Sequence, residues 1–122
     1  MPSNTVTILS LTTHPGDSTV QTVTGDKFKG DGYYGRSDGF HTVQYDLNDF
    51  IGDLKMQGTL AVTPTSDDWF DITLDNGDVT VSYDDGETSA PAFNFTGNFV
   101  WVRVYVTYTQ GQINQILLNH WG

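Results

Sequence analysis

Residues 93–119, FNFTGNFVWVRVYVTYTQGQINQILLN, decide how this chain folds. Between Phe99 and Thr109 there is neither proline nor glycine, and β-branched and aromatic side chains follow one another almost without a break. Such a run predicts a strand, because branching at Cβ crowds a helix and suits a pleated surface. Val100, Val102, Val104 and Val106 share one parity; Phe99, Trp101, Arg103, Tyr105 and Thr107 share the other. Successive strand residues point to opposite faces, so the valines make a core face and the second set an amphipathic one. A strand with two such faces is central in its sheet and covered, at least partly, on both sides. Gln110-Gly111-Gln112 reads as a short glycine turn, which makes Ile113–Asn119 the second strand of a closing hairpin.

The rest of the composition agrees with an all-β chain. There are 15 acidic residues against 5 basic ones, a net charge of −10, and Glu87 is the one glutamate. Aspartate belongs in turns and glutamate in helices, and 13 glycines add to the turn chemistry. A length of 122 residues suits a single domain, 1–122, which buries roughly two-thirds of its unfolded surface. Without cysteine there is no disulfide and no thiolate metal site. No apolar run approaches membrane length, and MPSNTVT lacks the basic and apolar regions of a signal peptide. No membrane partner is expected. Nor is nucleic acid, since phosphate binding needs clustered Lys and Arg.

Taken in order, Thr5–Leu11 is a first strand, ended by the turn cluster Thr13-His14-Pro15-Gly16-Asp17. Thr19–Thr24 alternates weakly, as an edge strand does. Gly25–Gly39 is a glycine-rich excursion with a short bulged strand around Phe28, and its Tyr33 and Tyr34 are able to pack or bind. Val43, Tyr45 and Leu47 alternate with polar residues in a half-buried strand. Asp49–Asp53 is a connection with Phe50 tucked inward. Leu54–Val62 follows, with Met56, Gly58, Leu60 and Val62 on one face, and Gly58 making room for an aromatic ring. Asn76-Gly77 predicts a hairpin between Trp69–Leu74 and Val79–Tyr83. Asp84–Pro91 reads as a surface loop. The sum is roughly eight short strands, the expectation for a jelly-roll-like antiparallel β-sandwich.

Chemistry is sparse. His14, His41 and His120 are scattered, and no Gly-x-Ser-x-Gly elbow marks a nucleophile. Of the many carboxylates, Asp68 and Asp71 flanking Trp69 are the one pair worth inspecting for glycosidase work. The acidic stretches 75–78 and 84–87 sit at opposite ends of one predicted strand, too far apart to share a calcium ion. The reading is of a non-enzymatic chain with no cofactor and no metal. What remains is a set of large aromatics. Trp69, Trp101, Arg103, Tyr105, Tyr33, Tyr34 and Trp121 form either a protein interface, for which they have the composition, or a platform for stacking sugar rings.

Three blocks of sequence also carry a resemblance. Asp31–Gln44, then Met56–Ile72 with Gln57–Leu60, Pro64 and Asp68–Phe70, and finally Phe95–Asn119 with FVWVR at Phe99–Arg103 and ILLNH at Ile116–His120, resemble small virion structural proteins of tailed bacteriophages. The resemblance is closest to those of T4-like myoviruses infecting marine cyanobacteria, and it covers about half of the chain. It implies a virion location and a non-enzymatic capsid-decoration, neck or tail component. Its expected partners are other virion proteins and further copies of itself in a dimer or trimer. The alternative is a carbohydrate-binding module touching host surface polysaccharide.

Overall fold

The computed structural model describes residues 5–30 and 39–120. Among the described residues there are nine antiparallel strands: β1 (Val6–Leu9), β2 (Thr12–Thr13), β3 (Gln21–Thr24), β4 (Phe28–Lys29), β5 (Phe40–Thr59), β6 (Phe70–Asp71), β7 (Val81–Ser89), β8 (Ala92–Thr96) and β9 (Trp101–His120). The all-β reading holds.

The fold is organised around one ribbon. β5 and β9, 20 residues each, pair antiparallel along nearly their whole length, from His41 opposite His120 to Thr59 opposite Trp101. β1 to β4 line the far side of β9, and β6 to β8 the far side of β5. A straight strand of this length would span about 65 Å. Yet the two ends of β5 meet the same ring. The His41 and Phe99 rings lie 5.9 Å apart, and a Cβ on Gly58 would sit 2.7 Å from the Phe99 ring. The ribbon is therefore folded across its middle, and its two halves face each other over a shared core.

Counted by halves, the first layer runs β1, the end of β9, the start of β5, β8. The second runs β3 and β4, the start of β9, the end of β5, then β6 and β7. Each layer thus is four strand positions wide, and every long strand passes from one layer into the other, the arrangement of a jelly roll.

The bend has a local cause. Register shifts fall between Asp46 and Leu47, Asn48 and Ile51, and Ile51 and Gly52. Asp49 takes a positive φ of 54° and Gly111 one of 92°. Such bulges kink a strand, and in β5 the extra residue also shifts which parity faces inward. In β5 the buried residues are His41, Val43, Tyr45 and Leu47 before the bulge, then Phe50, then Leu54 and Met56. In β9 they are Val102, Val104, Val106 and Tyr108 before it, and Ile113, Ile116 and Leu118 after. Phe50 stacks on Tyr108 at 5.7 Å, plugging the crease.

Several expectations need correction. Gln110-Gly111-Gln112 is no hairpin turn: β5 runs beside both halves of β9, so the ladder continues through Gly111 as a bulge. Asp49–Asp53 is likewise bulged strand. Asn76-Gly77 does turn, with Gly77 at φ 94° and the Leu74 amide donating to the Asp78 carbonyl at 2.7 Å, but β7 then pairs with β5 and not with β6. The Asp84–Pro91 stretch lies mostly within β7. Phe99, read as outward, is buried beside Gly58. Leu60 and Val62, read as inward, are 66% and 74% exposed because β5 ends at Thr59. In the strand expected over Trp69–Leu74, whose alternation turns Phe70, Ile72 and Leu74 inward, Ile72 and Leu74 are buried but Phe70 is 43% exposed.

Candidate functional site

The outer face of the second layer gathers most of the residues singled out by sequence. Buried Val102, Val104 and Val106 leave Trp101, Arg103, Tyr105 and Thr107 pointing away from the core. Register then brings long-range neighbours beside them: Gln57 opposite Arg103, Lys55 opposite Tyr105, and Asp71 on the next strand opposite Gln57.

These side chains form one continuous chain of contacts. The Arg103 guanidinium lies 4.3 Å from the Trp69 ring centre, and its Nε donates to Gln57 Oε1 at 2.8 Å. Gln57 Nε2 donates to Asp71 Oδ1 at 3.1 Å. The other oxygen of Asp71 accepts from Lys55 Nζ at 3.2 Å. Lys55 in turn sits 5.0 Å above the Tyr105 ring. At one end, Lys27 lies 4.7 Å over Trp101, whose Nε1 donates to the Val62 carbonyl at 3.0 Å. The Gln57 amide, with Lys55 beside it, holds the Asp71 carboxyl below the usual carboxylate range. Partial burial pushes the Arg103 guanidinium somewhat down from its ordinary value.

The structure thus brings Trp69, Trp101, Arg103 and Tyr105 together. Tyr33, Tyr34 and Trp121 lie outside the described residues. Sequence reading passed over Lys27, Lys55 and Gln57, because only strand register makes them neighbours of the aromatic residues. Exposed Leu60 and Val62 join the end of this face beside Trp101. The Asp68 and Asp71 pair is not assembled for acid–base work: Asp68 accepts from the Thr65 amide at 2.7 Å and shapes its own turn, while Asp71 is held by Gln57 and Lys55. Among the described residues, no group of three or more His, Asp or Glu converges on a metal position.

A shallow cleft of about 100 Å³ lies on the same face, lined by Asp53, Lys55, Thr80, Tyr105 and Thr107. Small-molecule sites commonly enclose roughly 300–1,000 Å³, so this cleft is too small to hold such a ligand by enclosure.

The chain matches no family model, no curated protein and no solved structure. Its chemistry is read from the face alone. A sugar platform needs aromatic rings lying open and coplanar. Here Trp69, Trp101 and Tyr105 each carry a cation over one ring face, which blocks stacking there. A protein interface uses the same groups differently: aromatic area, Arg donors and an apolar margin.

Proposed function

We propose that this protein is a non-enzymatic structural component of a tailed-phage virion, a capsid-decoration, neck or tail subunit that assembles through the Trp101–Arg103–Tyr105 face. The observation that carries the assembly role is that face itself: stacked Trp69 and Arg103, the Lys55–Asp71 pair, and exposed Leu60 and Val62 beside Trp101. Fully packed side-chain networks on a sheet are rigid, and a rigid aromatic and Arg surface loses little entropy when a partner covers it. The virion itself comes from the sequence blocks that resemble phage structural proteins. A jelly roll is compatible with this role, being a scaffold of viral capsid proteins among others.

The test is quantitative mass spectrometry of purified virions of the phage that encodes the chain. A ratio near one copy per capsid subunit or capsomer assigns a decoration role. A few dozen copies or fewer assign the neck or tail. Absence from the particles rejects the virion reading, and glycan-array binding then decides whether the carbohydrate alternative takes its place.

A further inference from the structure

The basic residues of this molecule are strongly segregated. The chain has five basic residues. Four of them, Lys27, Lys29, Lys55 and Arg103, lie on or beside the Trp101 face, Lys29 directly opposite Trp101 in the ladder, with Asp71 paired to Lys55 and Asp53 beside it. The creased end, where both long strands pass between layers, has the opposite character. Asp49 sits in the β5 bulge, packed against Gly86 and Gly111. Asp84, Asp85 and Glu87 follow on β7, which pairs with β5 at Gly52 and Phe50. The turn holding Asp17 packs on the same crease, with the His14 amide donating to the Gly111 carbonyl at 3.0 Å. No Lys or Arg lies in residues 5–26, 41–54 or 81–99. This end has its own apolar margin as well: Leu11 and Val20, flanking the Asp17 turn, are 63% and 69% exposed.

The two surfaces are therefore complementary in kind: one holds the Lys and Arg side chains of the described residues with Leu60 and Val62 at its margin, the other carboxylates without Lys or Arg and with Leu11 and Val20. We propose that the Trp101 face docks onto the acidic crease of a second copy of this chain, head to tail. The inference rests on the Trp101 face being an assembly surface. It adds what that surface meets and with what symmetry. An isologous dimer through this face would leave the carboxylates of both creases without any Lys or Arg opposite them. Pairing two different patches is heterologous, and it closes into a ring such as a trimer or extends as an open fibre.

The experiment is analytical ultracentrifugation of the full chain with two variants. Lys27→Glu/Val62→Asp disables the face, and Asp84→Lys/Asp85→Lys disables the crease. All four positions are exposed, and circular dichroism confirms that each variant is folded. The wild type is expected to assemble at about 0.1 M salt and to lose assembly at about 1 M, where the Debye length falls from about 10 Å to 3 Å. Each variant alone sediments as a monomer. An equimolar mixture moves to twice the monomer mass and no further, because one intact face meets one intact crease and neither chain can extend. A wild-type monomer at low salt, a two-fold dimer that survives the crease substitutions, or a mixture that stays monomeric each overturns the proposal. Abundance in virions is a separate measurement: a virion protein that is monomeric in solution loses this inference and keeps its structural role, whereas self-assembly of a protein absent from virions does the reverse.

Discussion

On the second layer β9 turns Trp101, Arg103, Tyr105 and Thr107 outward; on the first layer the same strand turns out Asn114, Gln115, Leu117 and Asn119. The neighbouring strands follow suit. The first layer carries no Lys or Arg in β1, β8 or the parts of β5 and β9 that belong to it. Its short polar side chains satisfy one another: Thr42 Oγ1 donates to Asn94 at 2.8 Å, Asn114 Nδ2 to Asp46 at 3.1 Å, and Asn119 Nδ2 to Thr5 at 2.7 Å. The second layer instead holds long cations over aromatic rings, and the terminal nitrogens of Arg103 make no hydrogen bond among the described residues. One ribbon thus makes a face closed on itself and a face with donors left to offer. The fold across the crease lets both exist, since it carries the outward parity of β9 from one layer onto the other, beside different neighbouring strands.

Breaking the crease should abolish the distinction altogether. Phe50 is fully buried and stacked on Tyr108, so Phe50→Ala is expected to cost about 3–5 kcal/mol in urea unfolding. A loss under about 1 kcal/mol would mean that the layers are held elsewhere. Gly111 comes next. It has φ 92°, and a Cβ there would meet the Asp49 carbonyl, so Gly111→Val should destabilise by about 3 kcal/mol. An unchanged midpoint would contradict the bulge.

Tyr45 sharpens the comparison from the core side of the first layer. Its hydroxyl is buried with no hydrogen-bond partner among the described residues, so Tyr45→Phe should stabilise the fold, by about 1 kcal/mol. Burial, with Tyr83 nearby, pushes the phenol pKa up. A raised folded pKa contributes stability that is complete below the unfolded value of about 10 and is lost as pH rises through the folded one. The wild type should therefore weaken above pH ~10 more steeply than Tyr45→Phe, in melts taken across that range.

The outer faces themselves should matter little for stability. Arg103→Ala is expected to cost about 1 kcal/mol by removing the Trp69 stack and the Gln57 bond, and Thr42→Ala on the opposite face about 0.5 kcal/mol. Paired denaturation curves check the ranking; a cost at Arg103 above about 3 kcal/mol would mark it as part of the core and not of a docking surface. The smallest effect belongs to Asp71. Its lowered pKa contributes stability above the unfolded value of about 3.9 and loses it as pH falls through the folded one. Solvent screens this exposed pair, so Asp71→Asn should flatten the acid limb by under about 1 kcal/mol. Acid titration of the melting temperature reads it.

Much of the layer interior was legible in sequence. Alternation located Val43, Tyr45 and Leu47 and the valines at 102, 104 and 106, because period-two patterning is a local signal, and Phe50 was read as inward although its strand was not. Gly58 was rightly suspected of making room for a ring, which is that of Phe99. The errors fall where a distant partner decides. Gly111 carries the signature of a turn, and a turn it would be, were β5 not running alongside to continue the ladder. Leu60 and Val62 keep the inward parity of β5 after the strand that enforced it has ended.

By itself, then, the sequence determined the fold class, the core parity of the first half of β5 and of β9, and that Trp69, Trp101, Arg103 and Tyr105 are the residues to watch. Propensity and alternation are properties of neighbours along the chain. The crease, the placing of Lys27, Lys55 and Gln57 beside those aromatics, and the separation of the cationic face from the acidic end were decided only by tertiary structure. They depend on strand pairing between residues 12 to 112 positions apart, which no local pattern records.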